Sequence, residues 1–177
     1  MAPSVAISAP RTACSRSATM DLGVFHPAYL AWPDVILRVG GALVLSLALG
    51  IERFLRRKPI DFRPFVIISV ASCALSVGII EFAYGTEDET MSIDPGRVLS
   101  GVMSGIGFIG AGALFREDKT VHGAGSAASI WASGAIGLIC GLGFLWLAGI
   151  LTLVLLALLL ISRPFTEDYT INIKDEE

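Results

Sequence analysis

The hydrophobic positions of this chain are gathered into long runs, and the charged positions fall between them. Four stretches contain no Asp, Glu, Lys or Arg: residues 39–51, 64–80, 98–115 and 124–162. An α-helix rises about 1.5 Å per residue, so crossing the ~30 Å hydrocarbon layer of a membrane takes about 20 mainly apolar residues. The first three runs reach that length with their flanking residues. The fourth has 39 residues, which make about 58 Å of helix and therefore predict two crossings.

These runs predict an all-α fold, a polytopic membrane bundle of about five transmembrane helices. A soluble helical domain would be amphipathic with a period of 3.6 residues, whereas residues 151–161 are apolar on every side. We expect the membrane domain to cover residues 31–163, after a disordered or interfacial segment 1–30 and before a short cytoplasmic tail 164–177. The last run divides at the glycines after Cys140, so the predicted spans are 35–55, 63–84, 97–115, 124–141 and 143–162.

Composition supports a membrane protein and excludes several other classes. The chain is 54% hydrophobic and 16% charged, with a mean hydropathy of +0.71, whereas soluble domains carry about 25% charge. No basic stripe or aromatic platform points to a nucleic-acid partner. Three cysteines lack the spacing of a disulfide framework or a zinc site, and no cofactor is predicted. His122 and the serines form no nucleophile–base set, so we expect no enzyme.

Basic residues indicate how the chain crosses the membrane, because cytoplasmic loops are enriched in Lys and Arg. The loop around residues 53–63 has five basic residues, and the third loop has Arg116 and Lys119. The second loop, 85–96, has four acidic residues and no basic ones. This alternation predicts a bacterial inner-membrane protein with its amino terminus outside and its carboxyl terminus in the cytoplasm.

Glycines are concentrated in the second half of the chain, where 12 of the 19 lie between Gly101 and Gly149. Three of them match the spacing GxGxxG, but no strand precedes the match and no βαβ unit surrounds it, so dinucleotide binding is rejected. Small residues let membrane helices approach closely. We therefore expect the third and fourth spans to form the centre of the bundle and the leucine-rich fifth to face lipid. The predicted packing residues of the third span are Gly105, Gly107, Gly110 and Gly112.

Charged residues at the membrane edges are weak candidates for a cation site. Asp34 and Arg38 are four residues apart and are predicted to pair on one helix face. Mg²⁺ takes oxygen ligands and keeps several waters, so one or two carboxylates can suffice to hold it. Asp34, Glu52 and Glu81 are the candidates, although anchoring at the interface explains each of them more simply. In mid-membrane, spans two to five offer only hydroxyl groups, which make a poor path for a hard cation.

Several segments together resemble the MgtC/SapB family of bacterial membrane proteins. They are Arg38, Leu-Gly-Ile-Glu52-Arg53, Phe62-Arg63-Pro64, the run from Arg97 through Ser-Gly-Ile-Gly-Phe-Ile-Gly-Ala-Gly112, and Ser126-Ala-Ala-Ser-Ile-Trp131 with Gly137. The likeness covers residues 34–145. It implies five spans in the cytoplasmic membrane and an association with growth in low Mg²⁺ and survival in host cells. The positions it marks as functional are Arg38, Glu52, Arg53, Arg63, Arg97, Gly105, Gly107, Gly110, Gly112, Arg116, Ser126 and Trp131.

The resemblance implies two alternative functions. The family is labelled a magnesium transporter, and it is also viewed as regulatory, acting on other membrane proteins with the F-type ATP synthase as a proposed target. A second copy of the chain is a further partner to expect, beside the lipid bilayer itself. The sequence departs from the family's pattern at Phe54, at Gly101 and at residues 124–126, and it does not include the soluble carboxyl-terminal domain of the best-known members. We predict the regulatory function, with cation transport as the alternative.

Overall fold

The computed structural model describes residues 26–27, 29–55, 61–85, 94–117 and 120–161. These residues form five α-helices and one short hairpin: α1 (Trp32–Leu55), α2 (Arg63–Gly85), α3 (Pro95–Gly112), β1 (Phe115–Glu117), β2 (Thr120–His122), α4 (Ala124–Gly141) and α5 (Leu145–Ile161). The helix bounds fall within three residues of the predicted spans, so the all-α membrane bundle is confirmed. The predictions for residues 1–25 and for the tail 162–177 lie outside the described residues.

Length and hydropathy differ among the five helices. In the described part of the chain, α1, α2 and α4 are long and apolar enough to cross a membrane. Helix α5 is apolar throughout its 17 residues, which extend about 26 Å. Helix α3 has 18 residues, six of them glycine, and the glycines lower its hydropathy. Its lower hydropathy reflects glycine and not a row of charges, since Arg97 is the one charged residue of the helix.

Helix α3 begins with a side-chain cap and ends earlier than predicted. The Asp94 carboxylate accepts a hydrogen bond from the Gly96 N–H at 2.9 Å, and Pro95 occupies the first helical position. Both features stabilise a helix start, since proline has no N–H to leave unsatisfied there. The helix ends at Gly112 because the chain then enters the antiparallel hairpin, in which Phe115 pairs with His122.

Two glycines with positive φ angles set the turns on either side of α4. Gly143, at φ +92°, follows the end of α4; its N–H bonds the Cys140 carbonyl at 2.9 Å, and the Phe144 N–H bonds the Ile139 carbonyl at 3.1 Å. This pair of bonds is a Schellman motif, whose left-handed position favours glycine. Gly123, at φ +87°, precedes α4, and a side chain there would overlap the Ala113 carbonyl. The turn at Gly143 confirms the predicted division of the last hydrophobic run into two helices.

Helix α4 alone forms the centre of the bundle. It contacts each of the other four helices, and eleven of its residues are buried. Helix α3 contacts α4 and α2 and buries only Ile106 and Gly110. The prediction that the third span shares the centre is therefore wrong. Helix α3 packs on α4 along one face, where Ile106 lies against Gly134 and Gly110 lies against Ala127.

The closest packing in the bundle joins α2 to α4. Gly137 lies against the backbone of Ser69, and a Cβ at Gly141 would lie 2.6 Å from the Cys73 carbonyl oxygen. Gly137 and Gly141 are therefore packing residues of the α2–α4 interface. Helix α5 covers another side of α4 and α1, buries Ala148 and Thr152, and exposes large apolar side chains to the outside, as expected of a helix that faces lipid.

Candidate functional site at the two ends of helix α4

Arg53, in the last turn of α1, is buried against the first turn of α4. Its side chain is only 5% exposed, and its Nε donates to the Ser129 hydroxyl at 3.2 Å. The Ser129 hydroxyl in turn donates to the Gly125 carbonyl at 2.7 Å. A Cβ at Gly125 would lie 2.7 Å from the Arg53 Nη2 atom. The guanidinium therefore lies directly over Gly125, where a larger residue would displace it.

Other polar residues gather at the same end of the bundle. Glu52 precedes Arg53 and is also buried, with 9% of its surface exposed, and Ser126 is buried in the first turn of α4. The fold thus brings three predicted residues, Glu52, Arg53 and Ser126, to neighbouring helix ends although more than 70 positions separate Arg53 from Ser126 in sequence. Sequence analysis did not select Ser129 as a site residue. Its signal in the sequence was its place in the segment Ser126-Ala-Ala-Ser-Ile-Trp131, three residues after Ser126.

Arg38 lies at the opposite end of α4. Its Nη1 donates to the Gly141 carbonyl at 2.7 Å, and a Cβ at Gly143 would lie 3.1 Å from its Nη2. A cation at a helix carboxyl terminus is stabilised by the helix dipole and by the carbonyl groups that lack intrahelical partners. The predicted ion pair between Arg38 and Asp34 is wrong, because the guanidinium donates to the Gly141 carbonyl while Asp34 remains exposed.

Glu81 holds the segment before α1 against the end of α2. Its Oε1 accepts a hydrogen bond from the Leu30 N–H at 2.6 Å, and its Oε2 accepts one from the Tyr29 N–H at 3.0 Å. The Tyr29 and Tyr84 rings stack with their centroids 4.8 Å apart. A carboxylate that accepts backbone hydrogen bonds is strongly held, so the geometry indicates a structural anchor.

The candidate metal ligands do not form one site. Asp34 and Glu52 are 18 positions apart on the continuous helix α1, which places them about 27 Å apart along its axis. Glu81 contacts the residues that precede α1, so it lies at the end away from Glu52. Among the described residues, no three His, Cys, Asp or Glu side chains are placed to hold a metal ion. The cation site suggested by these carboxylates is therefore not assembled within the described chain.

Three of the remaining candidates, Arg63, Arg97 and Trp131, lie at the surface. The Arg63 side chain is 75% exposed and forms an ion pair with Asp61, Nε to Oδ2, at 3.2 Å. Arg97 is exposed at the start of α3, and Trp131 is half-exposed on α4. The Arg116 backbone pairs with Val121 in the hairpin, but its side chain lies outside the described part of the structure. The side chains of Arg63, Arg97 and Trp131 do not join the buried groups at the ends of α4.

The four predicted packing glycines of α3 divide into one that packs and three that do not. A Cβ at Gly110 would lie 3.3 Å from the Ala127 carbonyl of α4, which confirms close packing there. At Gly105, Gly107 and Gly112 a Cβ would meet no atom within 4 Å. The prediction that these three make close contacts is wrong within this chain, because α3 turns its Ile106 and Gly110 face to α4 and leaves most of its glycines outside.

Several buried hydroxyl groups of the spans donate to helix carbonyls. Ser69 on α2 donates to the Ala42 carbonyl of α1 at 3.2 Å, Ser133 to Ile130 at 2.7 Å and Thr152 to Ala148 at 2.8 Å. All three side chains are buried, whereas Ser104 of α3 is exposed. Hydrogen bonds of this kind satisfy polar groups where water is absent. Of the three bonds, the one from Ser69 joins two helices and the other two lie within α4 and α5; none supplies a carboxylate or amide ligand to a cation.

The bundle has five helices and an apolar outer surface, and an arginine contacts each end of its central helix α4. These features define a small polytopic membrane protein. The sequence matches the profile of the MgtC family over residues 39–168, and the chain belongs to that family. The resemblance noted in the sequence is thereby confirmed. No solved structure matches the chain.

Three curated relatives illustrate the similarity. An uncharacterised protein of Haemophilus influenzae is 36% identical over 82% of this chain and 61% of its own length. Protein SapB of Bacillus subtilis is 36% identical over 65% of this chain and 52% of its length. Protein MgtC of Brucella abortus is 31% identical over 73% of this chain and 51% of its length. The chain thus spans between half and three fifths of the length of these relatives.

Proposed function

We propose that this MgtC-family protein is a regulatory factor of the bacterial inner membrane, which acts on other membrane proteins during adaptation to low Mg²⁺ or to host and stress conditions. The observation that carries this proposal is the outward-facing glycine surface of α3. A protein that works through contacts between membrane helices needs a surface on which a second helix can approach closely, and α3 offers one.

The surface is formed by Gly101, Gly105, Phe108 and Gly112, which recur at intervals of four, three and four residues and so share one helix face. A Cβ at any of the three glycines would meet no atom within 4 Å, and Phe108 is 83% exposed. Glycine costs a helix up to about 1 kcal/mol relative to alanine. In a membrane that cost is offset where a second backbone comes close, so the surface suits a transmembrane helix of another protein.

Cation transport, the alternative function, has less support. The acidic candidates Asp34 and Glu52 lie about 27 Å apart on one helix, and the buried hydroxyls of Ser69, Ser133 and Thr152 donate to helix carbonyls. A path for Mg²⁺ through the bundle would need carboxylate or carbonyl oxygens directed into an aqueous channel. The described residues place no such row in the bundle.

A matched pair of leucine variants tests the regulatory proposal. Gly105 and Gly149 both have open space beside them, but only Gly105 belongs to the α3 surface. We expect Gly105→Leu to accumulate and melt like the unmodified protein, yet to lose complementation of low-Mg²⁺ growth in a strain that lacks its own copy. Gly149→Leu should complement normally. Equal complementation by the two variants would show that the function does not depend on the α3 surface.

Partner capture and ion flux supply the second test. The F-type ATP synthase is the first partner to examine, and we expect its recovery with the affinity-tagged protein to fall at least fivefold in Gly105→Leu and to persist in Gly149→Leu. Liposomes that contain only the purified protein should show no Mg²⁺ entry above protein-free liposomes. Entry that saturates with Mg²⁺ concentration would overturn the regulatory proposal in favour of transport.

A further inference from the structure

We propose that a groove between α1, α4 and α5 is the docking site of the chain's own segment after α5, and that the Phe165 side chain fills it. The groove encloses about 170 Å³. An apolar cavity of about 150 Å³ is enough to hold benzene, so this one has room for a phenyl ring. Its walls come from Leu49 of α1 and from Leu155, Leu158 and Leu159 of α5, and the first turns of α4 complete it.

The lining of the groove suits a side chain without hydrogen-bonding groups. Ser129 is the one polar side chain among the lining residues, and its hydroxyl already donates to the Gly125 carbonyl and accepts from Arg53. A polar occupant would leave its own donors and acceptors unsatisfied against the leucines. A phenyl ring has none to satisfy, so the chemistry of the lining fits it.

The groove lies where the chain leaves α5. Leu158 and Leu159 belong to the last turn of that helix, which ends at Ile161. Phe165 follows four residues after Ile161, and four extended residues reach about 13 Å. Leu155, the lining residue of α5 farthest from its end, lies about 9 Å back along the helix. The chain after α5 is therefore long enough to return Phe165 to the groove.

The sequence after α5 supplies one side chain of the right kind near the helix end. Residues 162–168 read Ser-Arg-Pro-Phe-Thr-Glu-Asp, so Phe165 is the large apolar residue among them. Pro164 disfavours the helical conformation for Arg163 before it, so the sequence predicts that the chain departs from the axis of α5 at this point. The MgtC family profile extends to residue 168, and Phe165 thus belongs to the part of the chain that matches the family.

A phenyl ring of the chain gains more from the groove than a lipid tail does. Lipid tails already lie in an apolar medium, so a tail that enters the groove removes no apolar surface from water. Phe165 follows the charged Arg163 beyond the end of the apolar helix, where the predicted topology places the cytoplasmic boundary. Docking removes its ring from water, which is favourable in proportion to the apolar area buried. The hydrophobic effect therefore favours Phe165 as the occupant.

Fluorine NMR of the full chain in lipid nanodiscs tests the proposal, with 4-fluorophenylalanine in place of Phe165. A water-soluble gadolinium chelate should broaden this signal at least fivefold less than that of free 4-fluorophenylalanine. A lipid with a nitroxide at the end of its acyl chain should broaden it at least fivefold less than the same label at Phe108, which is exposed on α3. Strong broadening by gadolinium would place the ring in water and strong broadening by the nitroxide would place it in lipid, and either result would overturn the proposal.

A matched pair of tryptophan variants connects that protection to the groove. Ala128→Trp fills the groove and should raise the broadening by gadolinium at least fivefold. Leu153→Trp places the same bulk on the exposed face of α5 and should leave the signal unchanged. Equal signals in the two variants would show that the ring is protected elsewhere.

Hydrogen exchange supplies a second measurement, which leaves the groove itself unaltered. Phe165→Ala should speed exchange of the amides of residues 158–161 at least fivefold, because the docked ring no longer covers the last turn of α5. Tyr169→Ala removes an aromatic ring further along the same segment and is the control, with no change expected. Equal exchange in the two variants would contradict the docking of Phe165. Protection found only in a dimer would show that a second copy of the chain fills the groove, and that result too would overturn the proposal.

Discussion

Gly137 of α4 lies against the backbone of Ser69 of α2 with no room for a side chain between them. A Cβ at Gly137 would overlap the Ser69 carbonyl oxygen and lie 2.7 Å from its carbonyl carbon. Because the obstacle is backbone and not the end of a flexible side chain, the two helices themselves must move apart to admit a methyl group. This contact belongs to the most extensive helix interface in the described bundle.

The first prediction follows from that contact. Gly137→Ala should lower the free energy of unfolding by about 1–3 kcal/mol, since overpacking a close interface costs that amount. Thermal melting in detergent, followed by tryptophan fluorescence, measures the change. Gly149→Ala is the control because a Cβ there meets no atom within 4 Å, and alanine should leave the melting temperature unchanged or raise it. Equal melting of the two variants would contradict the α2–α4 packing.

The second prediction concerns the cap on the end of α4. Arg38→Gln removes the charged donor to the Gly141 carbonyl, and hydrogen bonds to charged groups contribute about 1.5–3 kcal/mol. We expect a lower melting temperature and faster hydrogen exchange around residues 138–144. Arg63→Gln is the matched control, because its exposed ion pair with Asp61 should contribute less than about 1 kcal/mol. A larger loss at Arg63 than at Arg38 would contradict the cap.

The third prediction concerns the anchor at Glu81. Glu81→Ala removes the acceptor of the Tyr29 and Leu30 N–H groups, so these two amides should exchange with deuterium about tenfold faster or more. Peptide-level exchange followed by mass spectrometry measures this directly. Asp34→Ala is the control, since that exposed carboxylate should have no effect on the same peptide. Unchanged exchange in Glu81→Ala would show that another contact holds the segment.

The fourth prediction concerns orientation, which follows from the distribution of Lys and Arg. Reporter fusions at Lys58, Lys119 and Lys174 should report the cytoplasm, and a fusion at Glu89 should report the outside. The five-helix order requires the first three to agree with one another and to differ from the fourth. A reporter at Lys58 that reads outside would reverse the orientation, and a disagreement between Lys119 and Lys174 would contradict two crossings by α4 and α5.

Helix existence was predictable from sequence because it depends on local quantities. The length of each uncharged run sets how many times the chain can cross the hydrocarbon layer, and the glycine at position 143 marks where the last run turns. The end of α3 was misplaced by three residues because the pairing of Phe115 with His122 involves residues outside the helix. Helix ends that depend on such contacts are less well determined by local pattern.

The roles of individual side chains were less predictable. Arg38 was expected to pair with Asp34 from their spacing, but it bonds Gly141, 103 residues further along. The glycines of α3 were expected to pack because small residues favour close helices, yet of the four only Gly110 lies close to α4. Sequence spacing shows which residues share a helix face, but it does not show which helix that face meets.

By itself the sequence determined the number of helices, their approximate bounds and the family, because hydrophobic run length, turn-forming glycines and characteristic segments are local properties. The tertiary structure decided that α4 is the central helix, that Arg53 and Arg38 lie at its two ends, and that the candidate carboxylates stay apart. These facts depend on the rotation and neighbours of each helix. In a bilayer they are set by van der Waals contact and hydrogen bonding between helices, which arise only after all five have packed together.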